Sequence, residues 1–139
     1  MRSKAPLALM EQVIMLLVFA LAAVLCLNVF VWADARSAES AQRDRALVEA
    51  QSAAEVLKSC CGDFAAAADL WGGSRETAAW CIRFDADWQQ TEEKGVYLLR
   101  VTREESGLAY LGLARVEVYR EETRLASLNV AWQEVGGDG

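Results

Sequence analysis

The sequence contains no histidine among its 139 residues. Histidine is the commonest general base, the usual base of nucleophile triads and a favoured metal ligand, so its absence removes three routes to catalysis together. Carboxylates or lysines can replace histidine, but the sequence shows no arrangement of them that supports a reaction. We therefore expect no catalytic residues and predict that the protein is not an enzyme.

Acidic residues outnumber basic ones over most of the chain. Only Arg2 and Lys4 of the 14 Lys/Arg precede residue 33, and only Glu11 of the 20 Asp/Glu does. The remainder therefore holds 12 basic and 19 acidic residues, a net charge of −7. An acidic domain without a basic patch is not expected to bind nucleic acid directly.

Patterns that would hold a metal or a cofactor are missing as well. Cys60 and Cys61 are adjacent, which differs from the CxxC spacing that lets two thiolates share one tetrahedral zinc ion. The stretch DAD at Asp85–Asp87 lacks the glycine and the distal glutamate of an EF-hand calcium loop. We predict no metal ion and no cofactor.

The four cysteines leave two interpretations open. Cys26 lies in an apolar run, and the other three follow it: Cys60, Cys61 and Cys81. Outside a reducing compartment, Cys81 can form a disulfide with either member of the adjacent pair, which leaves one thiol over. The alternative is that all three are small thiols, buried or half-buried.

A long apolar run dominates the first quarter of the chain. Val13–Trp32 is 20 residues without a charged side chain, and Asn28 is its only polar one. At about 1.5 Å per residue, such a helix spans roughly 30 Å, the thickness of the hydrocarbon layer of a bilayer. We predict a membrane anchor. A cleaved secretory signal is the next alternative, with Ala33–Ala35 as a weak cleavage site.

The flanks of this run predict its orientation. Arg2 and Lys4 precede it, and Asp34 follows it directly. Because the basic flank usually stays in the cytoplasm, we expect a single-pass cell-membrane protein with a cytoplasmic N-terminus. The C-terminal domain would then lie outside the cell.

The helical signal continues beyond the apolar run. Residues 33–59 contain no glycine or proline, and their more apolar positions recur every three or four residues: Ala46, Ala50, Ala53, Ala54 and Leu57. One helix over residues 7–59 would therefore have a transmembrane half, 7–32, and an amphipathic half, 33–59. We expect Gly62 to end it.

The remaining residues predict a short helix followed by a sheet. Residues 60–76 contain the helix Phe64–Trp71, capped by Asp63, with connecting turns that include Ser74–Glu76. Residues 77–133 contain four stretches with one apolar face each, which predict an antiparallel sheet of four strands: Thr77–Asp85, Val96–Arg103, Gly112–Arg120 and Arg124–Trp132. Residues 134–139 are predicted to be a flexible tail. An α+β fold follows, with the amphipathic half-helix covering the sheet.

This order of parts resembles the type IV pilins and pseudopilins. The sequence resemblance depends mainly on residues 4–32, where a short basic leader precedes an apolar helix with one early glutamate, Glu11. It implies a pilin-like fold, a leader over residues 1–6 and its removal by a prepilin peptidase. Cleavage before Leu7 would make Glu11 the fifth mature residue, as is typical of that family. Pro6 stands where the family has glycine or, occasionally, alanine; cleavage after Ala5 would instead make Glu11 the sixth residue.

The resemblance implies a role for Glu11 in assembly. In a filament of packed helices, its carboxylate would pair with the freed amine of Leu7 in a neighbouring subunit and so set their axial register. The alternative is that Glu11 lies at the lipid–water boundary and reaches water. The expected function is a minor, structural subunit of a type IV pilus, competence or type II secretion-type filament, with other pilin-like subunits and their assembly machinery as partners. The alternative function is a single-pass protein that does not polymerise and exposes a ligand-binding or sensing domain.

Overall fold

The computed structural model describes residues 4–134, in one long helix, one short helix and five strands. Residues 1–3 of the predicted leader and the predicted tail beyond residue 134 lie outside the described residues. The chain divides into two compact units, one ending at Ala41 and the other beginning at Gln42. The long helix α1, Ala5–Ser59, contributes to both units.

The first unit consists of the apolar part of α1. All of its described residues are exposed, and its large apolar side chains between Leu7 and Trp32 are each at least half exposed. The amide of Asn28 donates a hydrogen bond to the carbonyl of Val24, 3.1 Å away, so its polar group is satisfied within the helix. One helix in the described part of the chain, α1, is therefore long and apolar enough to span a membrane.

The second unit is built on the last part of α1. The predicted apolar stripe is confirmed, since all five of its residues are buried: Ala46, Ala50, Ala53, Ala54 and Leu57. Four of the five are alanines, whose small side chains are completely or almost completely buried. After Ser59 the chain turns through Cys61 and Gly62, both with positive φ, and the Gly62 amide donates to the carbonyl of Leu57.

The short helix α2 occupies the predicted position. It covers Phe64–Trp71, and the carboxylate of Asp63 accepts hydrogen bonds from the amides of Ala65 and Ala66. These bonds satisfy amides that a helix start otherwise leaves without partners. Gly72 follows with a φ of 96°, and α2 therefore ends where the sequence predicts.

The sheet has five antiparallel strands, whereas the sequence predicts four. The strands are β1 Ser74–Glu76, β2 Ala79–Phe84, β3 Tyr97–Glu104, β4 Leu111–Arg120 and β5 Thr123–Gln133. Each strand pairs with its neighbour in sequence, in the order β1-β2-β3-β4-β5. The additional strand, β1, falls on residues that were predicted to be a turn. It pairs with β2 through its backbone, and all three of its side chains are exposed.

The core lies between α1 and one face of this sheet. Along β3 and β4 the buried residues alternate with exposed or half-buried ones, as a half-covered sheet requires. Inward positions include Trp80, Leu99, Val101, Val116 and Val118, all completely buried. The opposite face carries three ion pairs, Arg83–Glu76, Arg115–Glu104 and Arg124–Glu117, at 2.7–3.1 Å.

Candidate assembly residues

The N-terminal turn of α1 holds the residues assigned to leader cleavage. The helix begins at Ala5, two residues before the predicted boundary at Leu7. Pro6 lies in this first turn, where its missing amide costs no helical hydrogen bond. The bonds considered for cleavage, Ala5–Pro6 and Pro6–Leu7, therefore both lie at the start of the helix.

Glu11 lies one turn beyond Leu7 on the same side of α1, since residues four apart are neighbours on a helix. Both side chains are exposed, and Leu7 is 70% exposed. Within residues 4–134 the Glu11 carboxylate has no hydrogen bond or ion pair. Glu11 is also the only charged residue between Leu7 and Trp32. The arrangement is a single carboxylate, without a partner, on an otherwise apolar helical surface.

The cysteines do not form a disulfide: all four are free in the structure. Cys60 is half-buried and packs against the core on the helix side of the sheet. Cys81 follows Trp80 in β2 and therefore points to the opposite face, because successive strand residues alternate. The sheet itself thus separates Cys81 from Cys60, and of the two interpretations that the sequence leaves open, this structure has free thiols.

The environment of Cys81 is that of a protected thiol. Its side chain is 1% exposed and lies in a cleft with Arg83 and Glu92. Burial raises the pKa of the Cys81 thiol above its usual value, and a hydrogen bond with Arg100 lowers it in part. Such a thiol stays protonated at neutral pH, which makes it a poor nucleophile and a poor metal ligand.

No group of three or more potential metal-ligating side chains occurs in the described part of the chain. The prediction that the protein binds no metal or cofactor stays a prediction.

The structure also brings together two arginines that the sequence did not single out. Arg75 from β1 and Arg103 from β3 line one cleft with Cys61, Asp63 and Phe64. Arg75 and Arg103 are far apart in sequence, and no motif connects them. Only the strand register places them at the same end of the sheet.

Comparison of the chain with models of known protein families, with curated proteins and with solved structures finds no match.

Proposed function

We propose that the protein is a structural subunit of a pilin-like filament, held in the membrane by α1 and assembled through it. The single observation that carries this proposal is Glu11, an ionisable residue without a partner on an apolar helical surface. A charged side chain inside a bilayer costs several kcal/mol on most scales, so such residues usually have a cation and a function. A partner from a second subunit would satisfy the carboxylate.

The proposed cation is the amine that cleavage would create. Removal of the residues before Leu7 would give a neighbouring subunit a free ammonium group at the same apolar surface. Pairing of this group with Glu11 would fix how far one helix is shifted along the next, as buried polar residues fix register in coiled coils. The lateral packing would come from the exposed apolar side chains of Val13–Trp32.

The second unit fits an accessory role in this proposal. Its exposed charged side chains and loops would face outward from the helical core of the filament, with the N-terminus of the chain on the cytoplasmic side. We propose no catalytic role for it and no direct contact with nucleic acid. A prepilin peptidase and the assembly machinery of a pilus, competence or secretion system would be its partners.

The first experiment measures the intact mass and the N-terminal sequence of the full-length protein recovered from membranes. The host carries a prepilin peptidase, and a peptidase-deficient strain is the control. We expect a peptidase-dependent start at Leu7. Retention of Met1 or Arg2 in both strains would contradict cleavage and with it the proposed pairing.

The second experiment separates assembly from a position at the lipid–water boundary. Glu11→Gln removes the carboxylate, whereas Glu11→Gln combined with Gln12→Glu moves it by one residue, about 100° around the helix. If Glu11 sets register, both variants lose sedimentable assemblies while membrane insertion is unchanged. Full assembly of the double variant would favour the boundary interpretation. Wild-type behaviour of both variants, together with an uncleaved N-terminus, would favour a single-pass protein that does not polymerise.

A further inference from the structure

The second unit has a cleft at one end of its sheet that contains two guanidinium groups, although the chain is acidic overall. The cleft has a volume of about 420 Å³ and is lined by residues from three places in the fold: Cys61–Phe64, Arg75 with Ala78, and Arg103. We infer that it binds the acidic β4–β5 turn of a second copy of this chain, in a head-to-tail contact. This inference rests on the proposed function, since it supplies a contact between filament subunits.

Arg103 is held in position by the residues around it. One of its guanidinium nitrogens donates to the carbonyl of Gly62 at 3.0 Å. The guanidinium carbon lies 5.9 Å from the centre of the Phe64 ring and 5.6 Å from that of the Trp132 ring. Its nearest carboxylate, on Glu134, is 3.9 Å away, at the edge of ion-pair distance. A guanidinium fixed in this way is preorganised to accept an anionic partner.

Arg75 adds a second positive charge to the same cleft. It is exposed, and it makes no ion pair within residues 4–134. Asp63 also lines the cleft, but its carboxylate already accepts the amides of Ala65 and Ala66, at 2.8 and 3.3 Å. One carboxylate oxygen of Asp63 is therefore engaged in capping α2, whereas the Arg75 guanidinium has no ion-pair partner among the described residues.

The proposed occupant lies at the opposite end of the same sheet. Glu121 and Glu122 form the two-residue connection between β4 and β5. Both are exposed, and neither has an ion pair in the described part of the chain. Because β3, β4 and β5 are antiparallel, this turn lies at the end of the sheet away from Arg103 and Ala78. The cleft end thus carries the unpaired charge of Arg75 beside Arg103, whose contact with Glu134 is 3.9 Å long, and the opposite end carries two unpaired carboxylates.

Complementary patches at opposite ends of one molecule favour a repeating contact. A patch that binds itself gives a closed dimer, whereas two different patches that bind each other give a ring or an open filament. The cleft and the acidic turn are different patches on one sheet. They therefore fit a chain of subunits that all point the same way, as a polar filament requires.

A cross-linking experiment with full-length protein in membranes tests this contact. Cys61 is exposed and lines the cleft, so it serves as the native reporter. Thr123→Cys places a second thiol next to the acidic turn, and a short bismaleimide joins the two thiols. We expect dimers and longer ladders that disappear when Cys61→Ser is added. Asn129→Cys, on the exposed outer face in the middle of β5, is the matched control and should give no ladder.

The charges are tested on the same Thr123→Cys background. Arg75→Glu or Glu122→Arg alone should lower the cross-linked fraction about tenfold, since an attraction becomes a repulsion. The two changes together should restore it, which a general loss of folding would not do. Arg103 is left unchanged because it also holds the Gly62 carbonyl.

Assembly is measured separately, by sedimentation and by its loss in Glu11→Gln. Sedimentable assemblies without a Cys61-dependent ladder would overturn this inference and leave the proposed function standing. A Cys61-dependent ladder that persists in Glu11→Gln would support the inference and contradict the proposed role of Glu11. Absence of both assemblies and ladder would overturn both.

Discussion

The indole of Trp132 packs directly against Gly62, in the space that a Cβ at position 62 would occupy. Trp132 is the last buried residue of β5, and Gly62 lies in the turn after α1. The contact connects the end of the sheet to the end of the long helix. Gly112 in β4 lies against the same ring, so Trp132 contacts the backbone at two points that must both be glycine.

Alanine at either glycine should therefore destabilise the second unit. For Gly112→Ala we expect a loss of about 1–3 kcal/mol in the free energy of unfolding, because the core must shift to accept a methyl group. Gly62→Ala should cost about 1 kcal/mol more, since Gly62 also has a φ of 81°. Urea unfolding in detergent, followed by tryptophan fluorescence, measures both.

Gly107→Ala is the matched control for these two variants. Gly107 has a φ of 67°, but nothing lies within 4 Å of an added Cβ. It should show only the backbone cost of about 1–2 kcal/mol. Equal losses for Gly62→Ala and Gly107→Ala would mean that the overlap with Trp132 is relieved at no cost.

The stability of the second unit should fall as the pH rises above about 9. Burial raises the pKa of the Cys81 thiol above 9.0 in the folded protein, so the folded state holds its proton at a pH at which the unfolded state loses it. The stability associated with Cys81 is therefore fully present below pH 9 and is lost as the pH rises through the folded-state pKa. Cys81→Ala should flatten the curve of unfolding free energy against pH in this window.

Tyr119 should also lower the stability of the folded protein as the pH rises, but at a higher pH than Cys81. Burial and then the nearby Glu117 raise the pKa of its phenol above 10.0. Tyr119→Phe should therefore change the curve only above pH 10. For Cys81, the contradicting result would be a Cys81→Ala protein whose stability falls as steeply as that of the wild type between pH 9 and 10. The thiol of Cys81 would then not be the cause of the pH dependence.

Arg45 should contribute more to the free energy of unfolding than Lys58, an exposed cation in a similar helical ion pair. Its guanidinium lies 2.8 Å from the carboxylate of Glu49, whose side chain is only 11% exposed. Arg45→Gln leaves that carboxylate largely buried without its cation and should cost about 1 kcal/mol. Lys58→Gln, which breaks the exposed pair with Glu55, should cost less than about 0.5 kcal/mol. Chemical unfolding distinguishes the two.

The double variant Arg45→Gln/Glu49→Gln provides the internal check for this pair. It removes both charges and should recover part of the stability that the single variant loses. A double variant less stable than Arg45→Gln alone would show that Glu49 contributes through another contact.

Replacement of Trp88 by glycine should destabilise the protein less than replacement by alanine. Its ring stacks on Tyr97, with the ring centres 3.9 Å apart and the planes 13° from parallel. The Trp88 backbone has a φ of 59°, which costs a non-glycine residue about 1 kcal/mol or more. Both variants lose the stack, but Trp88→Gly relieves the backbone cost, so it should be about 1 kcal/mol more stable than Trp88→Ala. Thermal unfolding that ranks alanine above glycine would contradict this.

The helices and the four longer strands are predictable because their residues carry periodic signals. The buried alanines of α1 recur every three or four residues, and Trp80, Ile82 and Phe84 alternate along β2. β1 has no such signal: its three residues are polar and exposed, and only backbone hydrogen bonds place it beside β2. Hydrogen bonding of this kind is independent of the side chains, so the residue pattern of β1 does not predict a strand.

The strand assignment itself bears on the disulfide, which is one of the two interpretations of the cysteines that the sequence leaves open. Once Trp80 and Ile82 point toward the helix, Cys81 between them must point away from it. The cleft could not be predicted in the same way, because Arg75 and Arg103 come to the same end of the sheet only when the register of three strands is fixed. Glu11 was identified from the sequence, because a carboxylate inside an apolar run is visible without any structure.

The strictly consecutive strand order has a consequence for the order of folding. Each strand pairs with the one made just before it, so a chain that emerges N-terminus first can add strands without waiting for distant segments. One contact does need a distant segment, namely the packing of the Trp132 indole against Gly62. Trp132 reaches Gly62 only when β5 is complete, and until then the turn after α1 remains uncovered.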